Sequence, residues 1–372
     1  MKAGTPDSEG HKPENSQNHH HRYRHYFLRY GSRVPLVLGA FLVIFFVLYR
    51  SASLFQVFPR WSSSSSPFRQ GSALTNVPSS APEKSERDKL NDVLEKAAMG
   101  DKTVIMTTLN DAWAEPNSIF DLFLESFKTG IDTKRLLNHL VVIAMDQKAY
   151  DRCLILHPHC YFLITKGKDF SGDAFFLSPE YLDMMWRRIL FLQSVLELGY
   201  NFVFTDTDIM WFRDPFPHFY SDADFQISCD FYWNSWDMKN NPNGGFNYVK
   251  SSNHSINFYK FWYNSRTNYT NMHDQDVLNK IKYDPMLREI GITIKFLDTA
   301  YFGGFCQPSR DLNKVCTMHA NCCIGLDRKI HDLKIMLEDW RKYLALPDDE
   351  RASRPNSWTV PQNCSLKGLV PP

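Results

Sequence analysis

An apolar run followed by two acids occupies residues 201–217, NFVFTDTDIMWFRDPFP. Its first half has the apolar, β-branched and aromatic character of a buried central strand, and Asp206 and Asp208 follow directly. Acids two residues apart point the same way on an extended chain, so they can share one hard cation. The carboxyl end of a buried strand is where open α/β folds bind ligands. The stretch therefore predicts a ligand site, with a polar turn closing a strand as the alternative.

A helix is predicted directly before this strand. Ser178 is a candidate N-cap, Pro179 suits the first helical position, and Gly199 suits the helix end. Between them, apolar residues recur at spacings of three and four: Leu182, Met185, Ile189, Leu192 and Leu196. The helix therefore leads straight into the strand that ends in the two acids.

Strands and helices alternate over the preceding hundred residues. Strands are predicted at 103–109, 140–145 and 161–164, with helices at about 118–128 and up to about 156. This alternation predicts an α/β fold with a doubly wound, mostly parallel sheet, in which 202–205 is the fourth strand. After the acids the pattern is less regular, with short strands at 224–231, 245–250 and 292–296 and helices at 256–266, 274–282 and 332–344.

The regions outside this domain differ in composition. Residues 1–33 are polar and basic, which predicts a cytosolic tail, and the uncharged run at 34–49 predicts a transmembrane signal anchor, with a cleaved signal peptide as the alternative. The positive-inside rule then places the rest in the lumen, and the short span suits a Golgi membrane protein, single-pass and type II. Residues 50–100 form a Ser/Pro-rich stem with a short helix at 83–99, residues 101–346 the globular domain, and residues 347–372 a loosely attached tail.

Charge and cysteine content limit the classes of protein to which this chain can belong. The 372 residues are 43% apolar with a formal net charge of +1, so a large core is possible and no nucleic-acid footprint is present. All eight cysteines follow the predicted anchor, which indicates disulfides of unknown pairing. Three glycosylation sequons begin at Asn253, Asn268 and Asn363 and agree with a lumenal domain.

The segment FTDTDIMWFRDPF resembles the plant nucleotide-diphospho-sugar transferase family, which includes wall xylosyl- and arabinosyltransferases. The resemblance extends over about residues 102–344. It implies the A-type glycosyltransferase fold, with a nucleotide-binding half and an acceptor half. It also implies a UDP-sugar donor, a Mn²⁺ or Mg²⁺ cofactor, a polysaccharide or glycoprotein acceptor, and transfer with retention of anomeric configuration.

The resemblance also assigns a metal site. It implies that Asp208 binds the metal directly and that Asp206 binds the metal or the sugar and ribose hydroxyls. The late segment CTMHANCCIGLDRK resembles a His…Gly…Lys segment of related transferases, which makes His319 a metal ligand and Lys329 a diphosphate contact. Two acids and a histidine suit Mn²⁺ somewhat better than Mg²⁺. The alternatives are a loop histidine beside a disulfide, and a zinc site formed by Cys316, His319 and Cys322.

Two further segments are candidates for contacts to the sugars. HDQDVLN, at 273–279, resembles a segment of retaining transferases, which implies that Asp274 holds sugar hydroxyls and Gln275 lies under the anomeric carbon. Alternatively, Asp274 is only a helix N-cap. In NGGFN, at 243–247, Gly244 and Gly245 would let the backbone approach a sugar, although a hairpin turn would have the same sequence.

Several other residues are candidates for donor contacts. Arg188 is favoured over Arg187 as a donor contact, a solvated helix face being the alternative. The end of the first strand is expected near the base and ribose, which makes candidates of Thr107, Thr108 and Asn110. Two roles remain possible for three tryptophans, stacking on sugars or packing in the core: Trp211, Trp233 and Trp236.

These observations predict a metal-dependent glycosyltransferase that moves xylose, arabinose or galactose from a UDP-sugar. Two other classes remain open. A phosphatase of the haloacid dehalogenase type also carries DxD after an apolar strand, but it needs a later Gly-Asp pair that is not found downstream. A catalytically silent lumenal binding protein with the same fold is the second alternative.

Overall fold

The computed structural model describes residues 84–165, 170, 172, 177–353 and 357–364. The predicted cytosolic tail, the signal anchor and most of the stem therefore lie outside the described residues. Within the described part, no helix is both long and apolar enough to cross a membrane.

Among the described residues, ten strands form two sheets. In chain order they are β1 (Thr103–Leu109), β2 (Leu140–Ala144), β3 (Cys160–Phe162), β4 (Asn201–Thr205), β5 (Ile209–Trp211), β6 (Phe225–Phe231), β7 (Asn241–Val249), β8 (Ile294–Phe296), β9 (Phe302–Gly304) and β10 (Thr317–His319). Seven of them form the central sheet in the order β3-β2-β1-β4-β7-β6-β8, and a small second sheet has the order β5-β10-β9.

The central sheet is mostly parallel, as the sequence predicts. β7 pairs antiparallel with both β4 and β6, whereas the other neighbours in this sheet pair in parallel. The register between β4 and β7 sets Thr205 opposite Phe246, and the amide of Asp206 then donates to the carbonyl of Gly245 at 2.7 Å. The antiparallel strand therefore brings the glycine pair beside the acid pair.

Helices cover both faces of the central sheet. In chain order they are α1 (Glu86–Ala97), α2 (Asp111–Ala114), α3 (Ile119–Thr129), α4 (Gln147–Leu156), α5 (Pro179–Glu197), α6 (Asn253–Ser265), α7 (Asp274–Ile281), α8 (Met286–Ile290), α9 (Leu326–Ala345) and α10 (Asp348–Ser353). On β4, Phe202 and Phe204 pack with α1, α5, α6 and α7, whereas Val203 packs with α3, α4 and α9. This alternation explains why β4 is apolar at successive positions.

Most predicted elements are found, with different ends. α5 begins at the Ser178 N-cap with Pro179 in its first turn, as predicted. β7 begins at Asn241, four residues before the predicted strand, and α9 begins at Leu326, six residues before the predicted helix. The short strands β5, β9 and β10 were not predicted, because three residues are too few to show a period.

The prediction of a loosely attached C-terminal tail is wrong for residues 357–364. Val360 and Cys364 are buried in the core, and Trp358 packs against it. The carboxylate of Asp332, on α9, accepts hydrogen bonds of 2.8–3.0 Å from the backbone amides of residues 362–364. This segment therefore belongs to the globular domain.

Six of the eight cysteines form disulfides. The pairs are Cys153–Cys160, Cys306–Cys322 and Cys323–Cys364, and Cys229 and Cys316 are free and buried. Cys322 and Cys323 are neighbours in the chain but belong to different bridges. The segment after His319 is therefore joined to two separate parts of the domain.

Candidate active site

Pairing between the small-sheet strands β5 and β10 brings His319 to the two acids. The chain leaves the central sheet at Asp206, enters β5 at Ile209, and pairs antiparallel with β10 so that Ile209 lies opposite His319. The backbone amide of Ala320 donates to the carbonyl of Asp208 at 3.0 Å. As a result, one possible ligand atom from each of Asp206, Asp208 and His319 lies within 4.8 Å of the other two.

This triad fits a divalent cation. The Oδ1 atom of Asp208 is buried, and its near neighbour is Nε2 of His319 at 3.1 Å, so both atoms can face one ion. A buried carboxylate is costly unless a cation binds it. Gly245 keeps the space open, since a Cβ there would lie 2.6 Å from both Asp206 Oδ2 and His319 Cε1. Two carboxylates and an imidazole form a ligand set that suits Mn²⁺.

A lysine provides a second positive group at Asp208. Lys329 lies in the first turn and a half of α9, and its Nζ is 2.5 Å from Asp208 Oδ2 and 5.5 Å from the ring centroid of Trp113. Burial alone would raise the pKa of Asp208, but Lys329 and His319 outweigh burial and hold this pKa below its ordinary value. Asp208 is therefore an anion at neutral pH, as a metal ligand must be.

A buried arginine links the acid pair to α7. Arg188, 5% exposed, donates from Nη1 to Asp206 at 3.0 Å and from Nη2 to Asp274 at 2.6 Å. Burial alone would raise the pKa of Asp274, but Arg188 lowers it to about 2. For Asp206, burial and the Asp208 charge outweigh Arg188 and raise the pKa. Arg188 is thus the shared counter-ion of two carboxylates from different elements.

A hydrogen-bonded cluster of amides surrounds Asp230 on the other side of the glycine pair. Asp230 accepts from the side-chain amides of Gln275 at 2.9 Å, Asn243 at 2.8 Å and Asn321 at 2.8 Å. The carbonyl oxygen of Gln275 in turn accepts from the backbone amide of Gly244 at 3.0 Å. Because a carboxylate only accepts, Asp230 fixes which end of each amide faces it.

These groups line one cavity of about 480 Å³. Its lining includes eleven of the twelve predicted site residues: Thr108, Asn110, Arg188, Asp206, Asp208, Gly244, Gly245, Asp274, Gln275, His319 and Lys329. The exception is Thr107, which is completely buried and does not line the cavity. Thr107 lies farther from the carboxyl end of β1 than Thr108, and its side chain points to the opposite face of the sheet.

Several alternatives are inconsistent with the structure. The zinc site is excluded because Cys322 is disulfide-bonded to Cys306 and because burial raises the pKa of the Cys316 thiol to about 12. Asp274 is not the N-cap of α7, since His273 occupies that position. The glycine pair lies within β7 rather than in a hairpin turn.

The remaining candidates lie outside the cavity. Arg187 does not line it and donates to the backbone of Ile164 at 3.4 Å. Trp211 is buried in the core, whereas Trp233 and Trp236 are exposed.

The cavity-lining residues that sequence reasoning missed include Trp113, Tyr181, Asp230 and Asn321. Tyr181 lies one turn into α5 on the same face as Arg188, so helical spacing would have found it. Asp230 and Asn321 are 91 residues apart, and no local pattern links them.

Comparisons with known proteins agree with this geometry. The profile of the nucleotide-diphospho-sugar transferase family matches residues 135–333. An uncharacterized protein of Arabidopsis thaliana is 52% identical over 278 residues, 74% of this chain and 73% of its own length. Arabinosyltransferase RRA1 of the same plant is 27% identical over 49% of this chain and 41% of its own length.

Among solved structures, mouse xyloside xylosyltransferase 1 aligns with a TM-score of 0.37 and 13% identity, covering 59% of this chain and 98% of that one. The resemblance inferred from the DxD segment is confirmed by the family profile and by the 52% identical relative. The chain belongs to the nucleotide-diphospho-sugar transferase family and is a glycosyltransferase.

Proposed function

We propose that the protein transfers a pentose, xylose or arabinose, or galactose from a UDP-sugar to a cell-wall polysaccharide or glycoprotein, with an A-type fold and Mn²⁺ as cofactor. The observation that carries the proposal is the convergence of Asp206, Asp208, His319 and Lys329 on one cavity. RRA1, an arabinosyltransferase by name, supports a pentose donor.

The roles of the residues follow from charge and position. A bound Mn²⁺ supplies Lewis-acid neutralisation of the diphosphate. Asp206, Asp208 and His319 would hold that ion, and Lys329 would place its ammonium group beside the diphosphate oxygens. Arg188 would donate to sugar hydroxyls and Asp274 would accept from them. Gln275 follows Asp274 in the chain and donates to Asp230. Thr108 and Asn110, at the end of β1, lie where the nucleoside is expected.

We infer retention by front-face substitution. The C1–oxygen bond to the diphosphate breaks, C1 bonds to the acceptor oxygen, and the acceptor proton passes to a diphosphate oxygen. Asp230 accepts from three amides and Asp274 from Arg188, and these contacts lower the nucleophilicity of both carboxylates. These contacts support substitution without a covalent glycosyl-enzyme.

The test is a donor screen on the full-length chain. UDP release from UDP-xylose, UDP-arabinose and UDP-galactose is measured with Mn²⁺ and with EDTA. We expect one donor to be turned over only with Mn²⁺, and Asp208→Asn to lower the rate by about 10²–10³-fold, as loss of a charge-stabilising group does. Asp92→Asn, on α1 outside the cavity, is the matched control. Turnover of no donor by the wild-type chain would instead favour a silent binding protein.

We also propose that the protein is a type II Golgi membrane protein whose catalytic domain is lumenal. Three disulfides support an oxidising compartment. Asn268 is exposed, as an acceptor for glycosylation must be. For protein made in plant cells, digestion with a peptide N-glycosidase should shift the gel band of the protein to lower mass. In Asn268→Gln this shift should be smaller by the mass of one N-glycan. A band that never shifts in any variant would contradict the lumenal assignment of this site.

A further inference from the structure

The loop between β6 and β7 displays two tryptophans to solvent. Trp233 is 60% exposed and Trp236 70% exposed, whereas the other tryptophans in the described part of the chain are buried or half-buried. Neither ring stacks on another aromatic ring among the described residues, and Lys295 lies 5.7 Å from the centroid of Trp236. Exposed indoles in this number are unusual for a soluble surface and mark sites of interaction.

Hydrogen bonds within the loop fix the backbone that carries both rings. Asn240 is completely buried, and its side chain accepts from the backbone amide of Trp233 at 2.7 Å and donates to the carbonyl of Asn234 at 2.6 Å. The side chain of Asn234 accepts from the backbone amide of Trp236 at 3.2 Å. Both tryptophans are therefore anchored through their backbone amides while their rings remain exposed, that of Trp236 with Lys295 beside it.

Two neighbouring elements fix the loop to the domain. The buried Lys282, just after α7, donates to the carbonyl of Asn240 at 2.5 Å. On the other side, the carbonyl of Ser235 accepts from the backbone amide of Phe296, in β8, at 2.9 Å. A loop with buried polar anchors loses little conformational entropy when a ligand binds, so the rings are pre-organised.

The loop is continuous with the active-site cavity. It starts two residues after Asp230 and ends three residues before Asn243, and the side-chain amide of Asn243 donates to Asp230 at 2.8 Å. Trp233 is three residues from Asp230, so their Cα atoms lie at most about 11 Å apart. Phe231 and Tyr283 are exposed beside it, and the Tyr283 hydroxyl donates to the carbonyl of Met238 at 2.6 Å.

We propose that Trp233 and Trp236 form a stacking platform for an acceptor polysaccharide, on which sugar units beyond the reacting one lie. The apolar C–H face of a pyranose ring suits the electron-rich face of an indole, and the backbone of this loop keeps both indoles presented. This assignment rests on the proposed function, which requires a glycan acceptor to reach Asp230 and Gln275. Because two rings are displayed rather than one, the proposed ligand is a chain of several sugars rather than a single sugar.

The test uses binding rather than turnover. The full-length chain is run in native gels that contain xylan, arabinan or galactan. We expect at least one polysaccharide to retard the wild-type chain, and the Trp233→Ala/Trp236→Ala double variant to bind about tenfold more weakly for each ring lost, the effect of roughly 1.4 kcal/mol per contact. Trp233→Phe/Trp236→Phe keeps two aromatic faces and should restore most of the retardation.

Control variants distinguish a sugar-binding platform from a general loss of surface apolar area and from a protein interface. Ile155→Ala removes an exposed apolar side chain from α4 and should migrate like the wild type. Asp208→Asn should lose UDP release and still be retarded, so retained UDP release together with retained retardation would disprove the proposed metal role without affecting the platform. Retardation of the alanine double variant equal to that of the wild type, or no retardation of the wild type by any of the three polysaccharides, would overturn the proposal. A dimer that dissociates in the double variant with unchanged retardation would identify a protein interface instead.

Discussion

Arg188 neutralises two buried carboxylates at once, so its removal should affect folding as well as chemistry. Arg188→Met leaves Asp206 and Asp274 without their shared cation, and the loss of one partner of a buried ion pair costs about 3–5 kcal/mol. Urea unfolding should show this loss. Arg187→Met, on the same helix outside the cavity, should change the free energy of unfolding by less than about 1 kcal/mol. Equal losses in both variants would show that the double ion pair contributes no stability.

Asp230 positions amides rather than reacting with the sugar. Asp230→Asn replaces a pure acceptor by a group with its own N–H donors, so one of the three amides must turn or lose its hydrogen bond. An unsatisfied buried group costs about 1–3 kcal/mol, which predicts a fall in kcat of about 10–100-fold. Steady-state kinetics should show little change in the KM for Mn²⁺, because the metal ligands are intact. A raised KM for Mn²⁺ with unchanged kcat would contradict this role.

Gly245 provides the space in which the metal ligands meet. Gly245→Ala would place a Cβ 2.6 Å from Asp206 Oδ2 and from His319 Cε1, so both side chains must move apart. Calorimetric titration should show Mn²⁺ binding weakened by at least about tenfold, a change that corresponds to about 1.4 kcal/mol. Gly100→Ala, where a Cβ meets no atom within 4 Å, is the control. Unchanged Mn²⁺ affinity in Gly245→Ala would show that the ion binds elsewhere.

At the scale of the element, local patterns predicted the parts of the fold that local forces determine. α5 and β4 could be read because a proline after a serine cap and a full apolar run are visible in sequence. The partner of β5 could not be predicted, because β10 pairs with it only after a separation of more than 100 residues. The same limit applies to the site: Asp206 and Asp208 are two residues apart in the chain, whereas Asp230 meets Asn321 only in the folded protein.

The attachment of residues 357–364 to α9 should depend on pH. Burial raises the pKa of Asp332, but His331 and the backbone amides of residues 362–364 lower it more, so its net pKa is depressed. The folded pKa lies below the unfolded value of about 3.9, so this stabilisation is present above that value and is lost as the pH falls through the folded pKa.

Hydrogen exchange of residues 357–364 tests this dependence. After correction for intrinsic exchange rates, protection should be constant from about pH 7 to 5 and should fall below about pH 4. Asp332→Asn should give lower protection that no longer changes with pH. Equal protection at low and neutral pH in the wild type would show that the charge of Asp332 does not hold the segment.

For the whole molecule, the bridge between Cys323 and Cys364 spans 41 residues and the bridge between Cys153 and Cys160 spans seven. In the chain-entropy description, closing these loops stabilises the fold by about 4 and about 2 kcal/mol. Thermal unfolding of the two double serine variants should therefore show the larger fall in Tm for Cys323→Ser/Cys364→Ser. A larger fall for the shorter loop would indicate that local packing, rather than loop length, sets the contribution.

The two consecutive cysteines, Cys322 and Cys323, lie between His319 and Lys329 and are bonded to separate segments. The two bridges therefore tie the segment between His319 and Lys329 covalently to Cys306 and to Cys364. In a reduced chain these ties are absent, and strand pairing and packing alone would hold both side chains near Asp208. A preparation used to measure turnover should therefore have both bridges formed.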